Sequence, residues 1–204
     1  MKRLIGMLLI VCGIGIFVYP YIETGIDKLE INKNVSEWDK EKAKIKNDEK
    51  DKNEINNIKK DDKNLNNEIN SVVINGKNII GKIIVSKTGE QIPIIKGATE
   101  ENLIDGAALY DNGVYPGDKG TAIILGHRET TFGFLENVKI GDEIEIETLT
   151  NKRKFRLEKI YIVKPDDPLI LKQENYPGVT LETCYPFHYF GSAPDRFIAK
   201  YKLI

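Results

Sequence analysis

Residues 71–204 break into short runs of β-branched and apolar residues, each a few positions long and divided from the next by Gly, Pro, Asn or Asp. The runs are GKIIV, QIPII, TAIILGH, DEIEIETL, KFRLEKIYIV, GVTLETC and RFIAKYKLI. Such runs are too short for a helix to bury a stripe, and their turn residues close each one off, so they read as strands. In EIEIE, Ile144 and Ile146 alternate with Glu143, Glu145 and Glu147, giving one face to a core and one to water. In KFRLEKIYIV the apolar phase slips between Leu157 and Ile160, which predicts a bulge near Lys159. One helix is expected over 99–109, TEENLIDGAAL, with Thr99 as its amino-terminal cap. About seven or eight short strands with one or two short helices predict a mostly β fold, a closed or nearly closed barrel.

The chain before this domain has two characters. Lys2 and Arg3 precede a charge-free apolar run over 4–22, which as a helix would reach roughly 28 Å and span a bilayer core. A cleaved signal peptide is the rival, but the run ends in Tyr19, Pro20 and Tyr21 rather than in a small-residue cleavage site. Residues 1–22 are therefore expected to be a transmembrane signal-anchor. Residues 23–70 are rich in Lys, Asp, Glu and Asn without a sustained apolar repeat, the pattern of a solvated stalk, disordered or marginally helical. The net charge of −1 at neutral pH argues against nucleic acid as a partner.

Of the two cysteines, Cys12 lies in the apolar run and Cys184 far outside it, so a disulfide between them is excluded. Cys12 reads as a small apolar residue. If GVTLETC and RFIAKYKLI pair as neighbouring antiparallel strands, Cys184 and Arg196 lie side by side, both off the core. A thiol with an ordinary pKa of about 8.5 is mostly protonated at neutral pH, so nucleophilic use needs a base. The chain has two histidines. His127 ends TAIILGH, where Gly126 is expected to let the backbone turn, and His188 lies on a loop beyond Pro186. The residues alone leave each of these groups open to a structural reading: an inert buried thiol, a surface imidazole, a surface ion pair for Arg196.

LGHRE at 125–129, TLETC at 180–184 and APDRF at 193–197 together resemble the sortases, the membrane-anchored cysteine transpeptidases of Gram-positive bacteria. The similarity covers about residues 76–204, and CYPFHYFGSAPDRF is most similar to the class D branch. The pilin-polymerising class C is disfavoured, because the sole Asp-Pro pair, Asp167-Pro168, is followed by Leu169 within the domain rather than by an aromatic residue ahead of it.

The resemblance implies an eight-stranded barrel over 71–204, Cys184 as nucleophile, His127 as general acid and base, and Arg196 as substrate clamp and oxyanion donor. It implies cleavage of an LPxTG-like sorting signal of surface proteins after Thr, a thioester on Cys184, and transfer to a cell-wall precursor amine. It places the domain outside the cell and the amino terminus inside. Thr183 is expected to shape the oxyanion site. Leu169, Ile170 and Leu171, in the loop 164–178, are expected either to line the peptide groove or to pack in the core. His188 falls to a rim role. No cofactor and no metal are expected, the acidic Asp166, Asp167 and Glu174 reading as solvated loop charges. The rivals are a cysteine hydrolase using water as acceptor and a catalytically idle binding module.

Overall fold

A computed structural model describes residues 2–55, 71–189 and 191–204. The helix α1 covers Lys2–Ile55. The strands are β1 (Val72–Ile74), β2 (Lys77–Val85), β3 (Gln91–Lys96), β4 (Ala107–Leu109), β5 (Thr121–Leu125), β6 (Glu143–Thr148), β7 (Lys152–Val163), β8 (Gly178–Tyr185) and β9 (Asp195–Leu203), with a short helix α2 (Glu100–Asp105) between β3 and β4.

The strands form one sheet in the order β1-β2-β3-β4-β5-β8-β9-β7-β6, and β6 returns to pair with β2. β1 pairs with the first half of β2, opposite residues 77–79, and β6 takes the same edge over 81–85. The closed ring therefore has eight strands, with β1 as a flap outside it, in agreement with the expected barrel. Closure removes the unpaired edges that an open sheet would present.

Alternation decides which side chains fill the barrel. Ile144 and Ile146 point inward to join Phe155, Leu157, Val179, Leu181, Phe197, Ala199 and Tyr201 in one buried cluster. The expected bulge is present: the β7–β9 register slips between Leu157 and Lys159. Thr99 caps α2, accepting a hydrogen bond from the Asn102 amide at 3.2 Å. The helix is shorter than expected from 99–109, because Gly106 is extended and residues 107–109 are buried as β4 between β3 and β5. A Cβ on Gly106 would stand 2.8 Å from the Pro93 carbonyl oxygen, so the junction admits no side chain.

The larger departure is before the barrel. The segment expected as a solvated stalk is helical as far as Ile55, continuous with the apolar run; residues 56–70 lie outside the described residues. Ile31, Asn34, Val35, Trp38 and Lys42 share one face of α1 and are buried. Trp38 is fully enclosed with Ile74, Ile79 and Ile95, and the Lys42 and Lys82 ammoniums lie over its ring at 4.8 and 5.5 Å. Lys42 donates to Glu147 at 3.0 Å and also to the Thr148 carbonyl, while Lys82 pairs with Asp39 at 2.5 Å. Asn34 donates to the Asp105 carbonyl at 3.2 Å, joining α1 to the end of α2. The helical alternative for this segment is the one present, and only the solvated reading departs, over residues 31–42: the short apolar stripe Ile31, Val35 and Trp38 is interleaved with the buried polar Asn34 and Lys42, so it does not stand out in the sequence. Among the described residues, no helix is long and apolar enough to cross a membrane.

Candidate active site

β8 and β9 pair antiparallel with Cys184 opposite Arg196, Thr183 opposite Phe197 and Leu181 opposite Ala199. Odd-numbered residues of both strands fill the barrel, so Cys184, Glu182 and Arg196 stand on its outer face. That face is roofed by the loop between β7 and β8. Thr121 ropes the loop down: its amide donates to the Gln173 side chain at 3.0 Å, its carbonyl accepts from Gln173 at 3.2 Å, and its hydroxyl accepts from the Glu174 amide at 3.0 Å.

β5 runs parallel to β8 and ends beside its reactive end, with Leu125 opposite Glu182. The Gly126 amide then donates to the Glu182 carbonyl at 3.1 Å, and the Thr183 hydroxyl donates to the Gly126 carbonyl at 2.6 Å. These two bonds fix the start of the His127 loop to the strand that carries Cys184. Gly126 is not held in the left-handed region; its missing side chain makes room for Phe132, whose ring would stand 2.7 Å from a Cβ there. The expected backbone turn is thus replaced by a packing reason.

Cys184, His127 and Arg196 line one open cleft of about 330 Å³. Its floor is completed by Leu125, Glu182 and Thr183, and its walls by Glu100 and Leu103 of α2 and by Pro165 and Ile170 of the roofing loop. The thiol is half-buried, and burial pushes it above its ordinary value; the Arg196 charge opposes this, while Glu182 adds to it. Arg196 pairs through Nε with Glu182 Oε1 at 3.1 Å and donates from Nη1 to the Asp195 and Ala193 carbonyls at 3.1 and 3.4 Å.

A sequence model of the Sortase domain matches residues 83–204. The chain belongs to the sortase family. It is 31% identical over 119 residues to Sortase D of Bacillus subtilis, an alignment covering 58% of this chain and 60% of that protein. It is 27% identical over 121 residues to Sortase A of Bacillus anthracis, covering 57% of each chain. The chain thus spans about three fifths of the length of these curated relatives. Among solved structures, the Clostridium perfringens Sortase D5 transpeptidase superposes with a TM-score of 0.57 at 30% identity, covering 65% of this chain and 82% of that one.

In this sortase the other expected site residues divide. Ile170 lines the cleft, whereas Leu169 and Leu171 do not, and Leu171 is 48% exposed. Thr183 lines the cleft with its hydroxyl committed to Gly126. His188 lies on the loop after β8, paired with Glu136 at 2.8 Å and lining a separate groove. Asp167 accepts from the Leu169 amide at 2.8 Å, and Glu174 pairs with Lys200 at 3.5 Å. Among the described residues, no group of His, Cys, Asp or Glu is arranged to hold a metal ion.

Two residues of the site were given no role from sequence. Arg128, next to His127, is buried and donates to the Pro186 and Tyr189 carbonyls at 2.8 and 3.0 Å, tying the His127 loop to the segment that follows Cys184. Only its adjacency to His127 pointed to it. Glu182 shares the Cys184 face of β8, and that alternation was legible; its pairing with Arg196 was not.

Proposed function

We propose that this chain is a membrane-anchored cysteine transpeptidase that cleaves an LPxTG-like sorting signal after Thr and transfers the acyl group to an amine of a cell-wall precursor. The observation that carries the reading is the lining of one solvent-reached cleft by a thiol, an imidazole and a guanidinium, Cys184, His127 and Arg196.

The Cys184 thiol loses its proton to the His127 imidazole, and its sulfur attacks the scissile carbonyl carbon. The oxygen that gains charge is stabilised by Arg196. As the C–N bond breaks, His127 returns the proton to the departing amine, leaving a thioester on Cys184. The acceptor amine then attacks the thioester, gives a proton to His127, and forms the new amide as the thiol is regenerated. Ile170 and Leu103, apolar walls of the same cleft, suit the Leu-Pro end of such a peptide.

The charge-free run over 4–22, preceded by Lys2 and Arg3, serves in this reading as a single-pass anchor with its amino terminus in the cytoplasm and the barrel outside. The test uses the full chain in detergent with a sorting-motif peptide, with and without triglycine, and identifies products by mass spectrometry. Ligated peptide that depends on Cys184 is expected. Cleavage unchanged by the amine would make the protein a hydrolase, and no adduct or turnover with any motif would make it a binding module.

A further inference from the structure

Glu182 is a charge that the mechanism above leaves unused. Its side chain is 8% exposed, and its Oε1 lies 3.1 Å from Arg196 Nε. The two residues are diagonal neighbours on the outer face of the β8–β9 ladder, one step back from the Cys184–Arg196 pair. A carboxylate enclosed to this degree is costly to keep unless a cation meets it. Burial pushes the Glu182 carboxyl up, and Arg196 is what opposes that.

The guanidinium has five N–H donors in a rigid planar fork. Its Nε lies 3.1 Å from Glu182 Oε1 in an ion pair rather than an aligned hydrogen bond, and Nη1 donates to the Asp195 and Ala193 carbonyls. The remaining nitrogen, Nη2, has no acceptor among the described residues. A flexible arginine beside the thiol would have to be ordered at the moment of reaction, whereas one held by an ion pair at Nε and by hydrogen bonds from Nη1 presents Nη2 without that cost.

We propose that Glu182 is a positioning residue for the transfer reaction, holding Arg196 by its Nε edge so that Nη2 is left for the substrate oxygen above Cys184. The inference rests on the transpeptidase reading. It separates Glu182 from the other carboxylate of the cleft, Glu100, which stands exposed on α2 and is not paired with the guanidinium.

The test is a double-mutant cycle on the full chain in detergent, scored by peptide ligation, with Glu182→Gln, Arg196→Ala and the pair. Glu182→Gln is expected to lower kcat about tenfold with a smaller change in KM, and to cost nothing further once Arg196 is Ala. Equal loss in both backgrounds, or no loss in either, would overturn the positioning role. A second measurement needs no variant: in the wild-type chain, nitrogen-15 NMR is expected to show hindered rotation about the Arg196 Nε–Cζ bond. A freely rotating guanidinium would overturn the proposal. Wild-type chain that turns over no sorting peptide would sink the transpeptidase reading itself, an outcome distinct from ligation that is indifferent to Glu182.

Discussion

Cys184 and Arg196 face each other across the β8–β9 ladder, and both project from the outside of the barrel rather than into its core. A cross-strand pair of this kind keeps its members within reach without any loop having to close. The guanidinium also lies 3.1 Å from Glu182 through Nε, while Nη1 donates to the Asp195 and Ala193 carbonyls, so groups other than the thiol fix where it sits.

Cys184→Ala and His127→Ala are expected to abolish ligation of a sorting peptide to triglycine. Arg196→Ala is expected to reduce it about a hundredfold or more, the usual loss on removing an oxyanion donor. Product yields by mass spectrometry check this, and full activity in any one variant would remove that residue from the mechanism.

Because burial raises the Cys184 thiol, the rate of its alkylation by iodoacetamide should climb with pH to a midpoint above the ordinary value of about 8.5. Arg196→Ala removes the cation that opposes the shift, so the midpoint should move higher still and alkylation at neutral pH should slow. The same shift means the folded state holds the proton more tightly than the unfolded one. Its contribution to stability is therefore complete below the ordinary thiol value and declines as pH rises toward the raised one. A midpoint below the ordinary value would contradict this account.

Thr183→Val removes the hydroxyl that donates to the Gly126 carbonyl and leaves that acceptor unpaired, a loss of about 1–3 kcal/mol. Urea denaturation should show it, and ligation should fall with it because the His127 loop loses one of its two ties to β8. Thr183→Ser keeps the donor and is expected to restore most of both. Equal behaviour of Val and Ser would show that the hydrogen bond does not hold the loop.

Trp38→Ala should cost about 3–5 kcal/mol of packing between α1 and the barrel, exposing amides of residues 31–42 to hydrogen exchange. Trp38→Phe should cost far less than the Ala change, because the buried indole N–H has no acceptor. Exchange in Trp38→Ala no faster than in wild type would show that the docking does not depend on this ring.

Sequence alone determined what is local. Period-two alternation placed Val179 and Leu181 inside and Cys184 outside, the phase slip announced the bulge beside Lys159, and the three short motifs carried the family and with it the eight-stranded ring. These features are written in neighbouring residues, so no distant contact is needed to read them. Tertiary structure decided what depends on partners far along the chain. Ala107–Leu109 became a strand because β3 and β5 flank it, although its residues continue a helical pattern. Residues 31–42 docked because Trp38 finds Ile74, Ile79 and Ile95 while Lys42 and Lys82 meet Glu147 and Asp39 around it, and a lysine enclosed with its partner looks like a solvated charge until that partner is known. Glu182 acquired its place beside Arg196 for the same reason: only strand register brings the two charges together.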